Sequence, residues 1–381
     1  MHPSLKGRHV VAAHYFIYFG VMGLYLPFFN LYCFQIGFSG WQIGTLSATR
    51  SMVLIVFSIA WSLLADRNQA RRPIYILCNV AGAMLWALFL VSTDFYWILA
   101  CTVIYGIFFA PIIAFLEAFA MEFLGGEKKR YGGMRAWGSL AFILVVLVLG
   151  RVLDSYEVSI ILWLILAGSW IQALVALGFP KVVSHGRSSM GRSWRSLAKP
   201  QLVIFWICAF LMLLSHGAYY AFFSIHLTQL GFGGGFIGLC WALASAAEIL
   251  VMLNSERLFK RFSYEAVLMA SLFAAALRWT GLWAAESAWV LLVLQLTHFI
   301  TYGAFHMASI LYTDHWAAVE SKTLAQAVNN AVTYGFGLMA GFFFSGLIYQ
   351  RMGAGAMFAL SALFALAGGV IFSGFIWIAR K

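Results

Sequence analysis

Residues 28–44 read FFNLYCFQIGFSGWQIG and residues 222–238 read FFSIHLTQLGFGGGFIG, and eight of the 17 aligned positions are identical without a gap. Each stretch lies where one apolar run ends and the next begins. Related segments at corresponding places in two halves of a chain indicate an internal duplication. The pattern therefore predicts two similar halves.

The composition of the chain excludes a water-soluble protein. Hydrophobic residues make up 63% of the 381 positions and charged residues only 10%, whereas soluble domains average about 45–50% and 25%. A membrane helix needs about 20 apolar residues, so the chain has room for twelve helices joined by short connections. We predict an all-α integral membrane protein with transmembrane helices at about 10–33, 41–65, 73–92, 95–124, 131–153, 157–179, 200–229, 233–255, 264–284, 288–313, 320–348 and 354–378.

A long polar connection divides this series of helices at its midpoint. It reads PKVVSHGRSSMGRSWRSLAK and is rich in Ser, Gly and Arg. We therefore predict an N-terminal six-helix bundle over 1–179, a basic cytoplasmic linker over 180–199 and a C-terminal six-helix bundle over 200–381.

The cations report the orientation of the chain. Of its 24 Lys and Arg residues, only Arg151 and Arg351 fall on one side of the predicted membrane, and Arg50, Arg135 and Arg278 fall inside spans. The others lie on the opposite side, and cytoplasmic loops carry the excess of positive charge. We expect both termini to be cytoplasmic, and we attribute the net charge of +11 to topology rather than to nucleic-acid binding.

The five cysteines carry no redox or metal pattern. They lie within or at the edges of apolar runs, without CxxC spacing, which is typical of small buried residues. We expect neither a metal site nor an organic cofactor.

Ionisable side chains inside the predicted spans are the strongest functional signal. Each costs at least a few kcal/mol in a bilayer, so it indicates a site unless it forms a structural pair between helices. They are His14, Arg50, Glu117, Arg135, His216, Glu248, Arg278, His298 and His306, with Glu122 and His226 nearer the interfaces.

Two spans carry imidazole, phenol and hydroxyl groups at helical spacing. The groups are His298, Thr301, Tyr302 and His306 in one span, and His216, Tyr219 and Tyr220 in the other. Residues three or four apart share a helix face, and His exchanges protons near neutral pH. The stripes favour a polar substrate path or a proton relay; a helix–helix seam without a ligand is the alternative.

The charges inside the spans do not cancel. Three arginines stand against Glu117 and Glu248, and a buried guanidinium without a counter-ion is costly. An anionic substrate would complete the balance, unless Glu122 also reaches inward.

Residues 62–73, SLLADRNQARRP, resemble the loop signature of the major facilitator superfamily, Gly-x-Leu-Ala-Asp-Arg-x-Gly-Arg-Arg. The chain keeps Asp66, Arg67, Arg71 and Arg72, but it lacks both glycines and has one extra residue. The resemblance implies a major facilitator fold of two pseudo-symmetric six-helix bundles around a midplane cavity, with this loop as a conformational latch.

Segments around Arg135, Glu248, Arg278 and His298, among them YGGMRAWGSLAF and QLTHFITYGAFHMASILY, resemble the phenylpropionate permease branch, with lactose permease and the nucleoside–proton symporters more distant. Similarity to lactose permease implies that Glu117 and Arg135 bind substrate. It also implies that Glu248, Arg278 and His298 form the coupling network. Thr301 replaces the coupling carboxylate of lactose permease, so that proton site and sugar specificity do not carry over.

We therefore expect a secondary active transporter of the bacterial cytoplasmic membrane that imports a small organic acid, aromatic in kind, with protons. It would work by alternating access as a monomer, driven by the proton gradient. The expected proton-coupling residues are Glu248, His298, Arg278 and His306, with Glu248 the first choice of carrier. The expected substrate-binding residues are Glu117, Arg135, Arg50, His216, Tyr219, Tyr220, Tyr302 and Trp241.

Other functions remain open at this point. A nucleoside or sugar symporter and a drug exporter would have the same fold. A polytopic membrane enzyme is the least favoured alternative, because no loop exceeds about 20 residues, whereas such enzymes bind an activated donor beside a long loop, and because the His and Glu residues fall at mid-span.

Overall fold

The structure is a computed structural model that describes residues 5–125, 130–179 and 197–379, and these residues form helices joined by short connections. The α-helices are α1 (Leu5–Gln35), α2 (Gly40–Asn68), α3 (Arg71–Trp86), α4 (Phe95–Phe109), α5 (Ile112–Leu124), α6 (Tyr131–Val152), α7 (Ile160–Leu177), α8 (Pro200–Gln229), α9 (Gly234–Leu253), α10 (Ser255–Arg261), α11 (Tyr264–Ala284), α12 (Ala288–Leu296), α13 (Phe305–Trp316), α14 (Lys322–Asn330) and α15 (Leu338–Ala379).

Eleven helical segments of the described chain are long and apolar enough to cross a membrane. The last of them, Lys322–Ala379, has 58 residues and would extend about 87 Å as one helix, against a hydrocarbon core of about 30 Å. It contains two spans, because Gly353 has a φ of 79° and a ψ of 179° and breaks α15. The prediction of an all-helical membrane protein with twelve spans is confirmed.

Several spans are less regular than the sequence predicts. The predicted helix 95–124 is broken at Pro111 into α4 and α5. The predicted helix 288–313 becomes α12, a π-helical segment (Phe299–Ala304) and α13, and a second π-helical segment (Ala331–Gly337) joins α14 to α15. Apolar periodicity does not reveal such changes of winding, because they depend on how the helix packs.

The duplicated stretches have the same backbone conformation. Gly37 and Gly231 occupy equivalent positions of the repeat and have positive φ values, 95° and 87°. Each ends the turn after a long helix, and the next helix starts three residues later, at Gly40 and Gly234. Only glycine reaches this conformation without strain, so the repeated sequence encodes a repeated turn.

Contacts divide the chain into two compact units. The first contains α1, α2 from Thr49 onward, α3 to α7, and Phe232–Ala242 of α9. The second contains Ser39–Ala48 of α2, α8, α9 from Leu243 onward, and α10 to α15. The predicted bundles over 1–179 and 200–381 stay a prediction, and residues 180–196 of the predicted linker lie outside the described residues.

Close glycine contacts bring helices together within each unit. In the second unit a Cβ atom at Gly217 of α8 would lie 2.2 Å from the carbonyl carbon of Gly341 in α15. In the first unit a Cβ atom at Gly238 would lie 2.1 Å from the carbonyl oxygen of Val146 in α6. Small residues at helix crossings allow such approaches in membrane proteins.

Candidate functional site

Arg278 of α11 is the centre of a buried polar cluster in the second unit. Its side chain is almost inaccessible, at 1% exposure for the residue. The guanidinium donates hydrogen bonds to Gln295 Oε1 at 3.0 Å, to Thr301 Oγ1 at 3.1 Å and to His298 Nδ1 at 2.7 Å. All three acceptors are neutral groups at or after the end of α12, so they hold the charge in place by hydrogen bonding.

Aromatic rings cover the flat faces of the same guanidinium. Its Cζ atom lies 4.4 Å from the ring centroid of Tyr219 and 4.9 Å from that of Trp279. Arginine binds ring faces through cation–π attraction and keeps its in-plane N–H groups for hydrogen bonds. Arg278 therefore sits in a cage of rings with polar groups at its rim.

The hydrogen bond from Arg278 fixes the proton positions of His298. A guanidinium has donors only, so Nδ1 of His298 accepts and a neutral ring carries its proton on Nε2. That Nε2 atom lies 3.9 Å from Oε2 of Glu248 in α9. His298 is therefore a neutral imidazole between the Arg278 guanidinium and the Glu248 carboxylate. Its Nδ1 atom can take up a proton only after the hydrogen bond from Arg278 is broken.

Glu248 is the accessible end of this chain of groups. Its side chain is 24% exposed, against 5% for the His298 side chain. A carboxylate at such an edge can meet water, whereas the arginine behind it cannot.

Gln295 organises the cluster. It is uncharged, so the ionisable groups in the sequence do not point to it. It is fully buried, and its Oε1 accepts from both Arg278 Nη2 and Tyr219 OH, each at 3.0 Å. Its Nε2 donates to the Leu291 carbonyl at 3.0 Å, which fixes the orientation of the amide. Gln295 therefore joins α8, α11 and α12 through one side chain.

The predicted stripe after α12 lies beside this cluster. The rings of His298 and Tyr302 stack with centroids 5.1 Å apart, and those of Tyr302 and His306 with centroids 6.3 Å apart. His306 Nδ1 lies 2.6 Å from the hydroxyl of Tyr334. Tyr302 and Tyr334 belong to the two π-helical segments, and their ring centroids lie 6.0 Å apart. The hydrogen bond links α13, which begins directly after the first segment, to the second segment. Such segments are frequent at functional sites.

The predicted residues of α8 face the same cluster. His216 is fully buried; its Nδ1 donates to the Met212 carbonyl at 2.8 Å, and its ring centroid lies 6.4 Å from that of His298. The ring of Tyr220 lies 6.1 Å from that of Tyr302.

Trp241 of α9, also predicted to bind substrate, is buried and belongs to the first unit.

The first unit holds the other predicted charges. Arg135 of α6 stacks on Phe19, with its Cζ atom 4.1 Å from the ring centroid, and it interacts electrostatically with Glu117 of α5. Arg50 of α2 stacks on Tyr25, with its Cζ atom 4.3 Å from the centroid. Both arginines are half-buried and Glu117 is exposed, so these groups are accessible.

The loop between α2 and α3 forms a network within the first unit. Arg71 contacts Asp66 Oδ1 at 3.4 Å and Glu122 Oε2 at 3.7 Å, so Glu122 serves the loop rather than the intramembrane charge balance. Arg72 donates to the carbonyls of Phe179 and Leu177, just after and at the end of α7, where a cation is favourable. Arg67 is exposed.

A sequence model of the MFS_1-like family matches residues 9–360. The chain belongs to this family. The matched range includes the cluster around Arg278, the charged residues of the first unit and the α2–α3 loop. This match confirms the predicted resemblance to the major facilitator superfamily.

Relatives of the chain cover almost its whole length. It is 28% identical to a probable 3-phenylpropionic acid transporter of Escherichia coli strain K12, over 94% of this chain and 97% of that protein. It is 22% identical to the maltose permease of Geobacillus stearothermophilus, over 96% and 93% of the two chains.

A solved structure supports the same fold. The crystal structure of the nucleoside transporter NupG matches with a TM-score of 0.85 at 17% identity, over 97% of this chain and 98% of that one. Because the family and the curated relatives are transporters, the chain is a multi-pass membrane transporter, and the prediction that it is not an enzyme is confirmed.

Proposed function

We propose that the chain imports a small aromatic carboxylate together with protons. The observation that carries this proposal is the connected series Arg278, His298 and Glu248, which runs from a fully buried cation to a partly accessible carboxylate. Intramembrane ionisable groups are expensive, and a connected series of them is what coupling a proton to transport requires.

In this proposal Glu248 carries the proton. Arg278 orients His298, and the Nε2–H group of His298 points toward the Glu248 carboxylate. Protonation neutralises Glu248 and removes its attraction for the cationic cluster, so the protonated and ionised states favour different arrangements of α9 against α11 and the segment after α12. His306 of α13 and Tyr334 of the second π-helical segment would continue the path.

The substrate class rests on charge and on one relative. Arg50 and Arg135 are half-buried cations of the first unit, which suits an anionic ligand. The Escherichia coli relative is described as a probable transporter of 3-phenylpropionic acid, a carboxylate with an aromatic ring. Glu117, His216, Tyr219, Tyr220, Tyr302 and Trp241 are the further residues that we assign to substrate binding.

The remaining features complete the proposal. The chain would lie in a bacterial cytoplasmic membrane with both termini in the cytoplasm, act as a monomer and need no cofactor besides the proton gradient. The loop residues Asp66, Arg67, Arg71 and Arg72 would form the conformational latch.

Uptake by reconstituted vesicles tests the proposal. With an alkaline interior, labelled 3-phenylpropionate should accumulate faster than in protein-free vesicles, and a protonophore should abolish the difference. The protein-free control is essential, because a weak acid also crosses lipid in its protonated form.

A nucleoside or sugar substrate is the second candidate, favoured by the similarity to NupG and to maltose permease. Accumulation of uridine or maltose without accumulation of the acid would overturn the substrate class. Protein-dependent accumulation that survives the protonophore would overturn the coupling.

A further inference from the structure

Arg50 interacts with three tyrosines of the first unit. Its guanidinium lies over Tyr25 of α1, at 4.3 Å from the centroid. Tyr18 of α1 and Tyr105 of α4 lie within electrostatic range of the same cation. Tyr18 and Tyr25 are seven residues apart and so share one face of α1.

A second layer of aromatic side chains fixes these tyrosines. Phe109 stacks on Tyr18 at 5.6 Å and on Tyr105 at 5.2 Å between centroids. Trp86 packs edge-on against Tyr105 at 5.1 Å, and its Nε1 donates to the Leu162 carbonyl at 2.9 Å. These contacts pack Tyr18 and Tyr105 in place before any ligand arrives, so less side-chain freedom remains to be lost on binding.

The hydrogen-bonding edge of Arg50 is available. Among the described residues, the guanidinium of Arg50 donates no hydrogen bond and forms no ion pair with a carboxylate, and it makes a cation–π contact with Tyr25. A ring face does not satisfy the in-plane N–H groups of a guanidinium, which match the two oxygens of a carboxylate. Retaining such a cation inside a span is costly unless an anion binds it.

Arg135 differs in this respect, although it also stacks on a ring. The protein already supplies it with a negatively charged neighbour, Glu117. The neighbours that the structure gives Arg50 are phenols, which are neutral.

We propose that Arg50, with Tyr18, Tyr25 and Tyr105 near it, is the group that binds the substrate carboxylate, and that Arg135, which has Glu117 as a neighbour, takes part in substrate binding without holding the carboxylate. This inference rests on the proposed function and assigns the anion-binding residue within it. The carboxylate lies in the plane of the guanidinium, and the aryl group of the substrate packs among the tyrosine rings.

Two probes of nearly the same size and shape, one with a charged and one with a neutral head group, test this assignment. They are 3-phenylpropionate and its neutral amide, 3-phenylpropionamide, and their dissociation constants are measured by titration calorimetry on the full-length protein in detergent. The wild type should bind the acid at least about tenfold more tightly, the factor expected from one charge-assisted hydrogen bond.

Arg50→Gln should bring the two constants within about twofold of each other. Arg135→Gln, the matched variant, should keep the ratio near the wild-type value even if both probes bind more weakly. Arg50→Lys keeps the positive charge but lacks the planar guanidinium that binds both oxygens of a carboxylate, so the ratio of the two dissociation constants should be intermediate. This variant replaces Arg50→Gln in the test if Arg50→Gln does not fold.

The outcomes separate this inference from the proposed function. If the wild type prefers the acid and Arg50→Gln keeps that preference, or if Arg135→Gln loses it, the assignment is wrong while the proposed function stands. If the wild type does not bind the acid at all, both are overturned.

Discussion

The two units place arginine in membrane spans in opposite ways. In the second unit Arg278 is 1% exposed and donates to Gln295, Thr301 and His298. In the first unit Arg50 is half-buried and contacts the face of Tyr25. The first arrangement satisfies the charge with acceptors that the protein supplies, whereas in our proposal a ligand completes the second. The acceptors around an arginine are therefore a better guide to its role than its burial.

Removing an acceptor in the second unit should have the largest effect on stability. Gln295→Leu removes the oxygen that accepts from both Arg278 and Tyr219 in a buried site, and the loss of a buried hydrogen bond to a charged group costs about 3 kcal/mol. The free energy of unfolding should fall by roughly that amount. Thermal unfolding of the purified protein, calibrated by denaturant titration, measures it.

Arg50→Met is the matched control in the first unit. Because no acceptor for Arg50 lies among the residues that the structure describes, its replacement should change stability by less than about 1 kcal/mol, the strength of one partly exposed cation–π contact. Equal losses in the two variants would contradict the contrast between the units.

Removing one tyrosine hydroxyl from each unit should give a smaller difference in the free energy of unfolding. Tyr219→Phe deletes the donor to Gln295 Oε1 while Arg278 still donates to that oxygen, so we expect a loss of about 1 kcal/mol. Tyr25→Phe keeps the ring face that contacts Arg50 and should be close to neutral. A larger loss in Tyr25→Phe than in Tyr219→Phe would show that the Tyr25 hydroxyl has a structural partner, contrary to this account.

Much of the fold follows from sequence because a bilayer leaves few choices. Backbone polar groups in lipid must bond within the segment, so each apolar run becomes a helix, and the repeated Gly37 and Gly231 mark equivalent turns. The breaks are harder to predict. Pro111 is visible in the sequence, but the π-helical segments depend on side-chain packing across helices.

The site is predictable where a charge marks it. Arg278, His298 and Glu248 stand out because ionisable groups are rare in spans. Gln295 lies three residues before His298, at the same helical spacing, but an uncharged amide is not found by a search for charges. Tyr334 lies on another helix, and only tertiary structure brings its hydroxyl to His306.

Glu122 shows the converse limit. The sequence leaves open whether it joins the intramembrane charges, and the structure pairs it with Arg71. A position near the end of a span does not indicate which way a long side chain turns.

The central claim is that Glu248 of the second unit carries the coupled proton while Arg50 of the first unit binds the substrate carboxylate, and one paired measurement tests it most directly. Reconstituted Glu248→Gln and Arg50→Gln proteins are assayed for counterflow of labelled 3-phenylpropionate without a pH difference and for accumulation driven by one. Glu248→Gln should keep counterflow and lose accumulation, whereas Arg50→Gln should lose both. Accumulation against a gradient by Glu248→Gln, or wild-type counterflow by Arg50→Gln, would contradict the account.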